Sequence, residues 1–78
     1  AIVHALRELL SVAIERAIEI LPEKKAAFLI HYSEEMPIAE IGRELGIKSR
    51  SYLSSTYRPR VVAAVTREFL DLVSSDED

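Results

Sequence analysis

The sequence predicts an all-α domain of about five helices, on three observations. Glycine is scarce, with two in 78 residues, while Ala, Leu, Glu and Arg, all good helix formers, are abundant. Apolar residues recur at intervals of three and four over long stretches, which is the period of an amphipathic helix. The three prolines, Pro22, Pro37 and Pro59, stand between these stretches, where a residue without an N–H opens a helix more readily than it continues one.

The first helix spans Ile2 to Leu21. Val3, Leu6, Leu10, Ala13, Ala17 and Ile20 form one stripe, with Ile2, Leu9, Ile14, Ile18 and Leu21 beside it. Pro22 ends it, and Pro22-Glu23 starts the second helix with a carboxylate against the positive end of the dipole. That helix carries Ala26, Phe28, Leu29, Ile30 and Tyr32 and runs out near Ser33–Met36. Pro37 opens a short third helix with Ile38, Ile41 and Leu45 inward, and Gly46 fits the left-handed position past its end. Ser49 caps a fourth helix that reaches about Arg58. Pro59 marks a kink or a new start, and a fifth helix over residues 59–73 bears Val61, Val62, Val65, Phe69, Leu70 and Val73. The acidic tail, residues 74–78, frays into solvent.

Length allows one domain, 1–78, which buries only about 60% of its unfolded surface and so gains from a second chain. The absence of cysteine excludes a disulfide framework, a thiolate zinc site and a cysteine nucleophile, and agrees with a reducing compartment. No apolar run approaches the ~20 residues of a membrane span. Nothing reads as a signal peptide, and a chain beginning at Ala1 reads as a fragment or a processed product. His31 and Glu35, four apart, have ligand spacing, but His4 is the only other histidine, so neither a metal site nor a cofactor is expected. The serines lack a G-x-S-x-G elbow and no glycine-rich phosphate loop is present; no catalytic residue is assigned, and the chain is not read as an enzyme.

Residues 38–57 have the spacing of a helix-turn-helix. Ile38, Ile41 and Leu45 supply the inner face of the first helix, Gly42 the small residue at the crossing and Gly46 the turn. Ile47 plugs the gap after the turn, and Tyr52 falls where the second helix should face inward. The alternative is an ordinary helical hairpin with a glycine cap. By the motif's spacing the groove-facing positions are Lys48, Ser49, Arg50, Leu53, Ser54 and Tyr57.

The run Ala17-Ile18-Glu19-Ile20-Leu21-Pro22-Glu23-Lys24-Lys25, then Phe28-Leu29-Ile30-His31-Tyr32, then Ile38-Ala39-Glu40-Ile41-Gly42-Arg43-Glu44-Leu45-Gly46-Ile47, resembles region four of bacterial sigma factors. Arg58 and Arg60 fall where that family has a pair of arginines. The resemblance covers about residues 17–60, with 22–58 as the tri-helical unit. It implies a second motif helix in the major groove of a promoter element, an apolar surface that holds RNA polymerase, and a cytoplasmic protein of bacterial, phage or plasmid origin. The chain departs from the family along the recognition helix, where Tyr52-Leu53-Ser54-Ser55-Thr56 replaces the usual valine and basic residues.

Net charge is −3, which taken whole points away from nucleic acid. Its placement points the other way. Residues 43–67 hold Arg43, Lys48, Arg50, Arg58, Arg60 and Arg67 against Glu44 alone, a net of +5 on the motif. Residues 1–42 carry −3 and residues 68–78 carry −5, so the tail competes with DNA for the basic face. The expected contacts with double-stranded DNA are Arg43, Lys48, Ser49, Arg50, Ser54, Tyr57, Arg58 and Arg60. Arg50 is assigned a base edge, Arg58 and Arg60 phosphates, Tyr57 a phosphate, and Tyr52 the core.

Thirteen of the twenty residues from Ile2 to Leu21 are apolar, more than a single stripe requires. This predicts a homodimer through Ile2–Leu21 and Val61–Val73, or a groove for a partner; the alternative is that both helices bury everything against the motif. The expected function is a DNA-binding transcription regulator. The rival is an interaction module with a degenerate motif that binds RNA polymerase or another regulator.

Overall fold

A computed structural model describes residues 2–75 of the chain. Its elements are α1 (Ile2–Ile20), α2 (Glu23–Ser33), α3 (Ile38–Leu45), α4 (Arg50–Tyr52), a π-helical segment (Leu53–Tyr57) and α5 (Arg58–Ser75). Among the described residues there is no strand. The fold is all-helical, as the composition predicts.

The prolines at 22 and 37 act alike. Each adopts an extended ψ just outside a helix, 153° for Pro22 and 144° for Pro37, and offers its carbonyl to the first turn. The Ala26 amide donates to Pro22 O at 2.8 Å, and the Ile41 amide to Pro37 O at 3.0 Å. Their missing N–H groups lie where a helix has no acceptor for them.

Pro59 behaves differently: of the kink or new start expected there, the new start is not seen. Helical dihedrals run through Leu53 (φ −61, ψ −45) and Arg58 (φ −58, ψ −49), so α4, the π segment and α5 form one rod. Among the described residues there are therefore four rods, close to the expected five or so helices. The Arg58 amide donates to Leu53 O, five residues back. A prolyl ring at 59 crowds the carbonyl of Ser55 and gives it no donor. Winding the preceding turn more widely relieves that clash without ending the helix. The other end of α5 also differs from expectation: Ser74 and Ser75 are still helical, while the rest of the acidic tail, Asp76–Asp78, lies outside the described residues.

The core gathers Ala17, Phe28, Leu29, Ile41, Leu53, Tyr57 and Val61, one or more from every rod. Phe28 is its hub. Its ring stacks on Tyr32 (centroids 5.5 Å apart, 17° between planes) and meets Tyr57 edge-on at 5.8 Å and 70°. Lys25 Nζ lies 4.8 Å from the centre of the Tyr57 ring.

These residues define a head, in which α2 packs against both α1 and α5, and α3 packs against α2 and the rod that begins at Arg50. Beyond the head, the first half of α1 and the second half of α5 continue together as a two-helix arm. The molecule measures 45 × 22 × 18 Å, and its radius of gyration of 13.6 Å exceeds the ~11.5 Å of a compact chain of this length.

Candidate nucleic-acid interface

The two glycines shape the turn between α3 and α4 for different reasons. Gly46 has φ 72°, ψ 25°, the left-handed conformation expected of it. Its amide donates to Arg43 O at 3.3 Å, and the Ile47 amide donates to Gly42 O at 2.8 Å, a paired closure of the α3 C-terminus. Ile47, brought back by that closure, packs against the core. Gly42 is buried at a close approach. A Cβ there would lie 2.7 Å from the carbonyl oxygen of Ile47 and 3.2 Å from Leu53 Cδ1. The first of these neighbours is backbone, which cannot swing aside.

Ser49 then caps the next rod: the Tyr52 amide donates to Ser49 Oγ at 3.1 Å. The turn leaves a cleft of about 460 Å³ lined by Ala39, Gly42, Arg43, Gly46, Ile47, Lys48 and Arg50. Arg43, Lys48 and Arg50 are all exposed and stand around this one cleft. Glu40 lies 4.0 Å from an Arg43 guanidinium nitrogen across exposed side chains, an interaction worth little in water.

The remaining expected contacts divide. Arg58 and Arg60 are exposed. Standing two apart on one helix, they point roughly 200° away from each other, so they do not form one phosphate clamp. Ser54 is half-buried. Tyr57 is corrected outright: it is 6% exposed, its ring enclosed by Phe28, Tyr52 and Lys25. Leu53, expected in the groove, is wholly buried, and Tyr52, expected in the core, is 48% exposed. The physical reason is one stripe. Leu53, Tyr57 and Val61 recur every four residues and enter the core together, which turns Tyr52 outward. That four-residue spacing is visible in the sequence and is the signal that marks the inward face.

Exposed along this rod are Arg50, Ser51, Tyr52, Ser55 and Arg58; Ser51, Tyr52 and Ser55 are additions to the expected contacts. Ser55 Oγ donates to Ser51 O at 2.7 Å, so its proton is already engaged with the helix. Arg67 belongs to the arm: nine residues along α5 from Arg58, it lies about 14 Å further on.

The expected competition of the acidic tail with DNA concerns Asp76–Asp78, which lie outside the described residues. His31 and Glu35 do not share a helix face, because α2 ends at Ser33 and Glu35 has φ 65°. His31 Nδ1 lies instead 3.8 Å from a Glu34 carboxylate oxygen. Among the described residues no three of His, Asp or Glu come together as a metal set, and no helix is long and apolar enough to cross a membrane.

No protein-family model matches the chain, and comparisons with curated proteins and with solved structures find no match.

Proposed function

We propose that this protein is a regulator that binds duplex DNA, with α3 and the rod beginning at Arg50 acting as a helix-turn-helix of the kind its resemblance to sigma region four implies. The observation that carries the reading is the gathering of Arg43, Lys48 and Arg50 around the cleft at the α3–α4 turn, in a chain that is acidic overall. A cationic rim next to an exposed helix face is what positions such a helix against phosphates. Of the groups on that face, Arg50 has the fork that reads guanine, while Ser51 and Tyr52 offer single hydroxyls. The proposed reading therefore has strong positioning and thin base recognition, so affinity is expected to vary little with sequence.

The test is anisotropy of a fluorescein-labelled random-sequence duplex, titrated from about 50 to about 200 mM salt. Affinity should fall steeply over that range. Replacing Arg43, Lys48 and Arg50 together by alanine should flatten the log–log slope by about 0.9 for each phosphate no longer neutralised. No salt-dependent binding of any duplex overturns the proposal.

A second reading has support of its own. The Ser55 hydroxyl is held by its own helix and Tyr52 stands exposed in its place, which suits a surface that meets a protein such as RNA polymerase or another regulator. Leu53→Glu cannot test it, because Leu53 is a core residue. Tyr52→Glu can: it should abolish capture of the partner while leaving the fold intact.

A further inference from the structure

The arm has two helices where the head has three or more around the same seam. On α1, the stripe Val3, Leu6, Leu10, Ala13 and Ala17 keeps the 3–4 spacing of a helix–helix seam throughout. Ala13 and Ala17 are wholly buried, Ala17 within the core of the head. Val3, Leu6 and Leu10 are 65%, 45% and 44% exposed. With Val65, Thr66 and Phe69 of α5 they line an apolar groove of about 390 Å³, in which Arg7 is the one charged residue. Towards the head the groove continues between Leu10, Ile14, Val61 and Val65 and meets the end of α2 at Leu29, Tyr32 and Ser33. Thus α2 fills the third-helix position in the head, and among the described residues nothing fills it along the arm.

We infer that a second copy of this chain fills it, the two arms packing face to face and antiparallel as a four-helix bundle. Area supports this occupant. The chain exposes 5661 Å², whereas a compact monomer of 8.8 kDa exposes about 4800 Å². The difference, roughly 900 Å², is close to the ~800 Å² that each partner contributes to a standard interface. A second copy also brings the same uncharged aliphatic stripe, as a two-fold contact requires of both sides. Direction follows from α2. In a parallel arrangement both α2 helices would occupy the space between the copies at the same level. In an antiparallel one each arm tip meets the partner's arm, and each α2 end acts as a stop. The two-fold axis then passes near the middle of the Val3–Leu10 stretch, and α1 lies on α1. This inference does not rest on DNA binding.

Sedimentation equilibrium of the whole chain at micromolar concentration is expected to give twice 8.8 kDa. Leu6→Glu with Leu10→Glu should weaken the association by roughly 100-fold or more, since two carboxylates would be buried unpaired. Val12→Glu, off the groove on α1, should leave the mass unchanged and shows that a charge on α1 does not by itself undo the fold. Because the chain has no cysteine, one introduced thiol reports direction. Arg7→Cys, near the axis, should form a disulfide with itself under mild oxidation, and Val3→Cys should not. A monomer at that concentration overturns the inference, as does cross-linking through position 3 in place of position 7.

Discussion

Ala13 and Ala17 are wholly buried on α1, while the larger Val3, Leu6 and Leu10, on the same stripe one to four turns earlier, stand about half exposed. The head and the arm thus continue one seam with opposite outcomes. In the head the small residues admit close approach of the neighbouring rods, and α5 and α2 supply the facing side chains. In the arm the large residues meet only α5 and open space. The difference teaches that helical spacing gives a side chain its direction but not its partner. The arm's apolar residues contribute to stability only to the extent that something covers them.

That contrast can be broken most directly at its hub. Phe28→Ala should cost about 3–5 kcal/mol, most of the stability of a domain this size, because it empties the centre of the head. Val3→Ala in the arm should change the stability of the isolated chain by about 0.5 kcal/mol or less. Urea denaturation of both variants tests the pair, and equal effects would erase the distinction between the regions. Gly42→Ala comes next. Its gain in helix propensity, about 1 kcal/mol, is outweighed by the clash with the Ile47 carbonyl, leaving a net loss of about 1–2 kcal/mol and a lower denaturation midpoint. An unchanged midpoint would show that α3 and the following rod can separate more easily than the head's packing implies.

The smallest effect concerns a second closure, at the end of α2. There the Glu35 amide donates to Tyr32 O at 3.1 Å and the Met36 amide to His31 O at 3.1 Å, the same paired pattern that ends α3 at Gly46 and Ile47. Met36, like Ile47, is returned to the core. Glu35, however, holds φ 65° with a Cβ. Glu35→Gly should raise stability by about 0.5 kcal/mol, the relief of left-handed strain less the entropy glycine loses on folding. A thermal melt that moves down would mean that the Glu35 side chain makes an interaction worth more than the strain.

These two closures mark how far the sequence can be read. Gly46 announces its left-handed turn because glycine is so rare in the chain. Glu35 gives no such sign, since glutamate carries no preference for the left-handed conformation it holds here. The cations around the cleft are legible as a block between Arg43 and Arg67, yet only the fold separates Arg43, Lys48 and Arg50 from Arg67 on the arm. The inward face of the fourth rod differs by one residue from what the motif predicts. Motif spacing favours Tyr52, whereas the four-residue interval of Leu53, Tyr57 and Val61 follows the actual core face.

By itself, the sequence determined the helices, the places where Pro22 and Pro37 start them and Gly46 ends one, and the sign of charge near the turn. These depend on backbone conformation and on neighbours within a few positions. Tertiary structure alone decided that Pro59 lies inside a continuous rod, that Tyr57 is core and Tyr52 surface, and that α1 outruns α2 to leave an arm with an open groove. Each of these depends on which element lies opposite, and apolar spacing along a chain is the same whether its facing surface comes from the same molecule or from another.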